Sequence, residues 1–237
     1  MNHDLTLRLT LEYLVVLVYD IPPDRLRPLL TDRLAIHKLD VGGGQRAILA
    51  TFCGRVRVGR PGGLLSRFAF GLASHCACVQ WEDKPGVYDF RTVLTPPMPA
   101  RLIRLLVPTT RPGVSQTPAK PDLPGAIQYA ISEPGAILEI EISQEAEGPL
   151  HEDYQKILSF LVDRRQLYFW FRGRYLSRIP FDRPPPDLRP ARVHRVRIPI
   201  WAQTGLVSAT ELRTPAIACW SPAVTLECRL PRLAVRF

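Results

Sequence analysis

The stretch FLVDRRQLYFWFRGRYLSRIPF, Phe160 to Phe181, decides how this chain is read. It mixes arginines with aromatics, a combination found both on nucleic-acid surfaces and in the walls of folded sheets. The order of the residues separates these readings. Phe160 to Arg164 completes a helix, and QLYFWF then has strand composition. On a strand, Leu167, Phe169 and Phe171 point to one face while Tyr168 and Trp170 point to the other. Both faces are apolar, so the strand is expected to be covered on both sides. A base-stacking platform would need its aromatics open on one solvated face beside the cations. The reading therefore favours wall and core, with nucleic acid an unlikely partner. Arg172-Gly173 is read as a tight turn, and RYLSRIPF returns antiparallel.

Upstream, GPLHEDYQKILSFLVDRR places Tyr154, Ile157, Leu158 and Leu161 at helical spacing. Ahead of it, AIQYAIS and AILEIEIS form a strand pair around Glu133-Pro134-Gly135. TLRLTLEYLVVLVYD alternates and then becomes solidly apolar, as a strand entering a covered sheet does. Asp24 is read as the cap of a short helix. LAIHKLD and QRAILATFCGRVRV are strands parted by glycines. FAFGLASHCACVQWE and VYDFRTVL form a hairpin, with the turn assigned to Pro85-Gly86. A short helix is expected over Ala100 to Val107. Past Arg183 the chain is proline-rich and then strand-like in ARVHRVRIPIW, PAIACW and AVTLECRL. Val193 and Ile198 fall on opposite faces of one extended segment unless a bulge intervenes. RPGVSQTPAKPDLPG, Arg111 to Gly125, is the one loop of functional length.

At 237 residues the chain can bury a large core. No linker splits it, so residues 1–237 are read as one domain. The formal charge of +9 comes from scattered arginines, without the dense block of a basic tail. Five cysteines lack framework spacing, and no secretory signal or bilayer-spanning stretch is visible. The expected setting is a reducing cytoplasm, with no membrane partner.

Three stretches taken together carry a resemblance. YLVVLVYDIPPDRLRPLL, KPGVYDFRTVL and the Phe160–Phe181 stretch resemble YqjF-like proteins, from about Leu14 to Ala191. That family is similar in fold to acetoacetate decarboxylase. The resemblance implies a mainly β protein: an antiparallel β-barrel or cone with a central cavity and short peripheral helices. The enzymes among its relatives use a lysine as a Schiff base, and such an amine needs a depressed pKa. The nearest counterpart here is LLVPTTRPG, where Thr109 and Thr110 stand in place of lysines. A polar constellation carried by these relatives falls on Leu72, Ser74 and Cys76, and a late His-x-x-Trp element on Arg183 and Pro186. The polar cavity signature is therefore thinned.

Among the remaining candidates, His75, Cys76 and Cys78 lack the second ligand pair of a zinc site, so no metal and no cofactor is expected. Lys38 is read as an edge lysine. Glu139 and Glu141 share a strand face about 7 Å apart. They are the weak catalytic candidates, or else a polar face paired with arginines on a neighbouring strand. Arg164, Thr109, Tyr168 and Trp170 are the candidate ligand-binding residues. The expected function is binding of a small apolar or weakly acidic molecule without a Schiff-base lysine. A divergent enzyme on the same fold using carboxylate acid/base chemistry is the alternative, with an arginine-rich nucleic-acid or partner-binding module the third reading.

Overall fold

The computed structural model describes residues 6–59, 69–105, 107–115, 125–133, 135–144, 153–171 and 175–229. The Arg172-Gly173 turn and residues 116–124 of the proline loop lie outside them. The chain is mainly β with a few short helices. It opens with β1 (Thr6–Ile21), α1 (Pro23–Leu26), β2 (Ala35–Ile36), β3 (Lys38–Val41) and β4 (Gly44–Val58). Then come β5 (Ala69–Trp81), β6 (Lys84–Thr95), α2 (Pro97–Ile103), β7 (Thr110–Pro112) and β8 (Val114–Ser115). β9 (Ala126–Glu133), β10 (Ala136–Ser143), α3 (Tyr154–Val162), β11 (Gln166–Phe171) and β12 (Tyr175–Asp182) follow. The last elements are β13 (Arg189–Pro190), β14 (Arg192–Arg197), α4 (Pro199–Gln203) and β15 (Ile217–Arg229).

The expected antiparallel barrel or cone is corrected here. The strands divide between an 11-stranded sheet, whose main path runs β2-β5-β4-β1-β15-β12-β11-β6-β7, and a 4-stranded sheet ordered β14-β10-β9-β8. β5 also pairs with β6 as a hairpin. The larger sheet is mixed, because β11–β6 and β6–β7 are parallel. Alternating apolar faces are identical in a curved single wall and in a sheet sandwiched between other layers. The sequence pattern therefore could not decide between them.

The two faces of the large sheet feed two cores. One packs Val15, Leu17, Leu49 and Ala73 against Ile127, Ile131, Leu138 and Ile140 of the small sheet, with Trp201 of α4. The other packs Val16, Val18, Ile48 and Cys78 against Ala100 of α2 and Tyr154, Ile157 and Leu161 of α3. β11 contributes to both sides: Tyr168 and Trp170 go to the first core, whereas Leu167 and Phe169 go to the other face.

Several local assignments change. The β5–β6 turn is Glu82-Asp83, both at positive φ, between the paired Trp81 and Lys84. Pro85 and Gly86 lie inside β6. Pro22, not Asp24, is the cap of α1. The helix expected over Ala100 to Val107 sits earlier, at Pro97–Ile103. IPIW is no strand end, because Pro199 opens α4. β14 does contain a bulge: Glu141 faces Arg195 while Ile142 faces Val193, so Val193 and Val196 both pack on the core.

Candidate functional site

A cleft of about 330 Å³ lies where the large sheet meets β8 and β9. Its lining includes Arg55, Gly71 and Thr95 on one side and Val114, Tyr129 and Ile131 on the other. The large-sheet wall is a straight cross-strand row. Glu12 pairs with Arg55, Arg55 with Gly71, and Gly71 with Thr95. Directly paired residues project to the same face. The row therefore presents a carboxylate, a guanidinium and, over Gly71, a hydroxyl. Gly71 leaves room for that hydroxyl, because a Cβ there would collide with Thr95 Oγ1.

The backbone beside this row is bent. The β1–β4 register shifts between Glu12 and Val15, and Tyr13 has φ of 52°. A non-glycine residue rarely adopts that conformation, and it is held here by a partner. Tyr129, which lines the cleft, donates its hydroxyl to the Tyr13 carbonyl at 2.6 Å. Bulges of this kind re-aim side chains next to binding sites.

The charges on the row are unequally shared. Glu12 accepts from Arg57 through Nε at 3.0 Å and Nη2 at 3.2 Å. Arg55 Nε lies 3.8 Å from Glu12, beyond hydrogen-bond length, and its guanidinium makes no hydrogen bond among the described residues. The Thr95 hydroxyl is likewise without a partner there.

A second polar cluster sits on the opposite face. Asp89 is fully buried and accepts hydrogen bonds from Ser74 Oγ at 3.1 Å, Thr92 Oγ1 at 2.9 Å and Thr109 Oγ1. Burial pushes its pKa up, and the three hydroxyl donors pull against that shift. The cluster ties β5, β6 and the segment leading into β7 together. A third group is enclosed in the first core. Trp201 Nε1 donates to Thr51 Oγ1 at 2.9 Å, and Thr51 sits 3.1 Å from His75 Nδ1. Thr51 thus accepts from the indole and shares a second hydrogen bond with His75. Burial, aided by Arg91, pushes His75 down to about 3, so the ring is neutral.

No protein-family model matches the chain, and no curated protein matches it. Solved structures do. An acetoacetate decarboxylase from Legionella pneumophila aligns with 98% of this chain and 88% of its own, at 9% identity and a TM-score of 0.59. An acetoacetate decarboxylase-like enzyme from Sphingomonas wittichii RW1 covers 96% of this chain and 92% of its own, at 12% identity and a TM-score of 0.60. The enduracididine biosynthesis enzyme MppR, complexed with pyruvate, covers 96% and 89% at 14% identity and a TM-score of 0.54. The chain has the acetoacetate decarboxylase-like fold.

On this fold the sequence-selected residues scatter. Thr109, which stands where the resemblance looks for an amine, is a donor to buried Asp89. Ser74 joins it in the same cluster. Arg164 is 3% exposed and serves the end of α3. Its Nε donates to the Phe160 carbonyl at 2.8 Å, its Nη1 to His37 Nδ1 at 2.5 Å, and its guanidinium lies over the Phe160 ring. Arg183 Nη2 donates to the Leu161 and Val162 carbonyls at the same helix end, and burial pushes its pKa down to about 10. Tyr168 is enclosed and donates to the Lys84 carbonyl at 2.9 Å. Trp170 is half-buried against the first core. Glu139 and Glu141 face Arg197 and Arg195 across β10–β14, and Glu141 accepts from Gln128. None of these residues lines the cleft.

Cys76 and Cys78 project opposite to His75, and among the described residues no three His, Cys, Asp or Glu side chains could hold a metal ion. No helix of the described residues is long and apolar enough to cross a membrane. Sequence reasoning missed Arg55, Gly71, Thr95 and Asp89. An aspartate inside the apolar strand VYDF was the available signal for the last. The cleft row had none, since it exists only through a register spanning four strands.

Proposed function

We propose that this protein is a YqjF-like branch of the acetoacetate decarboxylase-like group, a single cytoplasmic domain that binds a small, mostly apolar or weakly acidic molecule. The binding place is the inter-sheet cleft, and imine chemistry plays no part. One observation carries the reading: a cleft of about 330 Å³, within the range of small-molecule sites, whose apolar walls hold a few unshared polar groups. In further support, Lys38, Lys84 and Lys156 are exposed to water, whereas an imine-forming lysine is activated by burial or a neighbouring cation. Lys120 lies outside the described residues.

A thermal-shift screen of small aromatic and aliphatic acids, amides and alcohols tests the proposal. Hits should raise the Tm of the wild type and leave Val114→Trp unmoved, because Val114 is 57% exposed at the cleft and a larger ring there fills the space without disturbing the core. Equal shifts in both proteins would place binding elsewhere and end the cleft reading. Covalent labelling by borohydride with a β-keto acid would end the claim that imine chemistry is absent.

A further inference from the structure

We propose that Arg55 and Thr95, standing on either side of Gly71, form an anion notch that takes the carboxylate of a small monocarboxylic acid. The proposal rests on the cleft reading above and adds the chemical class and orientation of the ligand.

Three observations converge on it. First, Arg55 is a half-buried cation in a mostly apolar cleft, its side chain only 27% exposed, with no hydrogen bond to its guanidinium among the described residues. Arginine presents a planar fork of donors matched to a carboxylate, and in partly desolvated surroundings an unfilled fork is costly. Second, the carboxylate that should neutralise it is engaged elsewhere. Glu12 makes two hydrogen bonds to Arg57 and leaves Arg55 at 3.8 Å. A ligand anion can therefore take Arg55 without stripping Glu12 of its own partner. Third, the register places Thr95 beside Gly71, and its hydroxyl lies over Gly71 in the space a side chain there would fill, next to Arg55 in the row. Thr95 is 4% exposed, lines the cleft, and has an uncommitted donor. A carboxylate set against this pair meets the guanidinium and the hydroxyl side by side. Its apolar remainder points to Ile131 and Val114.

The notch has room for one anionic group. Nearby Glu12 would repel a second, so dicarboxylates are disfavoured. The notch also lies on the face of the large sheet opposite to Asp89 and Thr109, and so is separate from the position where the resemblance looks for an amine.

Calorimetric titration with phenylacetate, benzoate and hexanoate, against phenylacetamide, benzamide and hexanamide as neutral counterparts, tests it. At least one acid should bind the wild type roughly ten- to a hundredfold tighter than its amide, the value of a charge-assisted pair. Arg55→Gln should erase that preference, and Arg55→Lys should restore part of it, since charge without the fork remains. Gly71→Ala should weaken acids and spare amides, because the added methyl displaces the Thr95 hydroxyl from the notch. Arg46→Gln, which removes one exposed positive charge outside the cleft, should keep the full preference and so exclude a general charge effect. Each variant's thermal midpoint shows whether it is folded. Acid and amide binding equally, with Arg55→Gln silent and Val114→Trp inactive, would overturn the notch while the cleft stands. No binding of any of the three acids at millimolar concentration would also overturn the notch. Binding that survives Val114→Trp would remove the cleft itself.

Discussion

Gly86 is where the smallest change should do the largest damage. It sits in β6 against β11, at a junction paired only through Leu167–Val87 and Tyr168–Tyr88. Its φ is ordinary, so alanine meets no conformational penalty. The obstacle is space. A Cβ there would lie 2.5 Å from Tyr168 Cε2, 2.6 Å from the Gln166 carbonyl oxygen and 2.8 Å from Gln166 Cβ. Tyr168 is wholly buried and tied to the Lys84 carbonyl, and the Gln166 oxygen is backbone, so neither can simply swing aside. Overpacking costs about 1–3 kcal/mol. Loss of the tyrosine hydrogen bond adds about 1 kcal/mol. Gly86→Ala should therefore destabilise by about 2–4 kcal/mol, against a total of roughly 5–15 kcal/mol. Urea denaturation followed by tryptophan fluorescence reads this as a lower midpoint with an unchanged slope. Gly44→Ala is the matched control. Gly44 opens β4 with ordinary φ and nothing within 4 Å of a Cβ, so alanine should be neutral or stabilising by up to about 1 kcal/mol. The reasoning is refuted if the two variants fall within about 0.5 kcal/mol of each other.

Two further outcomes follow from the buried polar groups. Asp89 has its pKa raised by burial, so the folded state holds that proton more tightly than the unfolded chain does. Its ionised form then costs stability; the cost is absent below the unfolded pKa of about 3.9 and grows as pH rises through the folded value. The stability of the wild type relative to Asp89→Asn should accordingly fall with rising pH across that window, and a flat or rising difference in a pH series of urea titrations would contradict it. The thiols should also separate by access. Cys53, Cys76, Cys78 and Cys219 are buried, and burial pushes Cys78 and Cys219 up to about 12, while the half-buried Cys228 is pushed up to about 11. Cys228 should be the first to react with a disulfide reagent in native protein, and mass mapping that finds Cys76 or Cys78 labelled before it would refute the burial argument.

What was legible in the sequence was local. The two-faced apolar pattern of QLYFWF puts Tyr168 in one core and Phe169 in the other, because strand periodicity is set by the backbone alone. The i, i+3, i+7 spacing of Tyr154, Ile157 and Leu161 gives the buried face of α3 for the same reason. Illegible features depend on partners distant in the chain. β15 runs unbroken through Pro222, which the sequence reads as a break. Ser221 and Ala223 pair with Leu14 and Glu12, so the proline falls opposite the kink at Tyr13. The same kink shifts the β1–β4 register beside Arg55, and no neighbour-to-neighbour pattern announces that. Layering of the strands into two sheets was hidden for a related reason. Alternation tells that a face is covered and not what covers it.

The arginine content has a comparable explanation. Several guanidiniums in this chain bond to backbone carbonyls where regular structure stops, and others pair with carboxylates. Arg27 reaches the carbonyls of Leu30, Thr31 and Leu34 after α1. Arg164 and Arg183 serve the C-terminal carbonyls of α3, and Arg165 serves that of Arg183. A helix end leaves its last carbonyls without partners, and a forked cation satisfies several at once while complementing the negative end of the dipole. Short helices and many chain reversals create many such ends, and these arginines are used there. Arg55 departs from that pattern. It is in mid-strand, no carbonyl among the described residues engages its guanidinium, and its carboxylate neighbour is held by Arg57. A cation whose carboxylate neighbour is shared with Arg57, set beside the Thr95 hydroxyl in an apolar cleft, is what distinguishes the proposed ligand site from the scaffold.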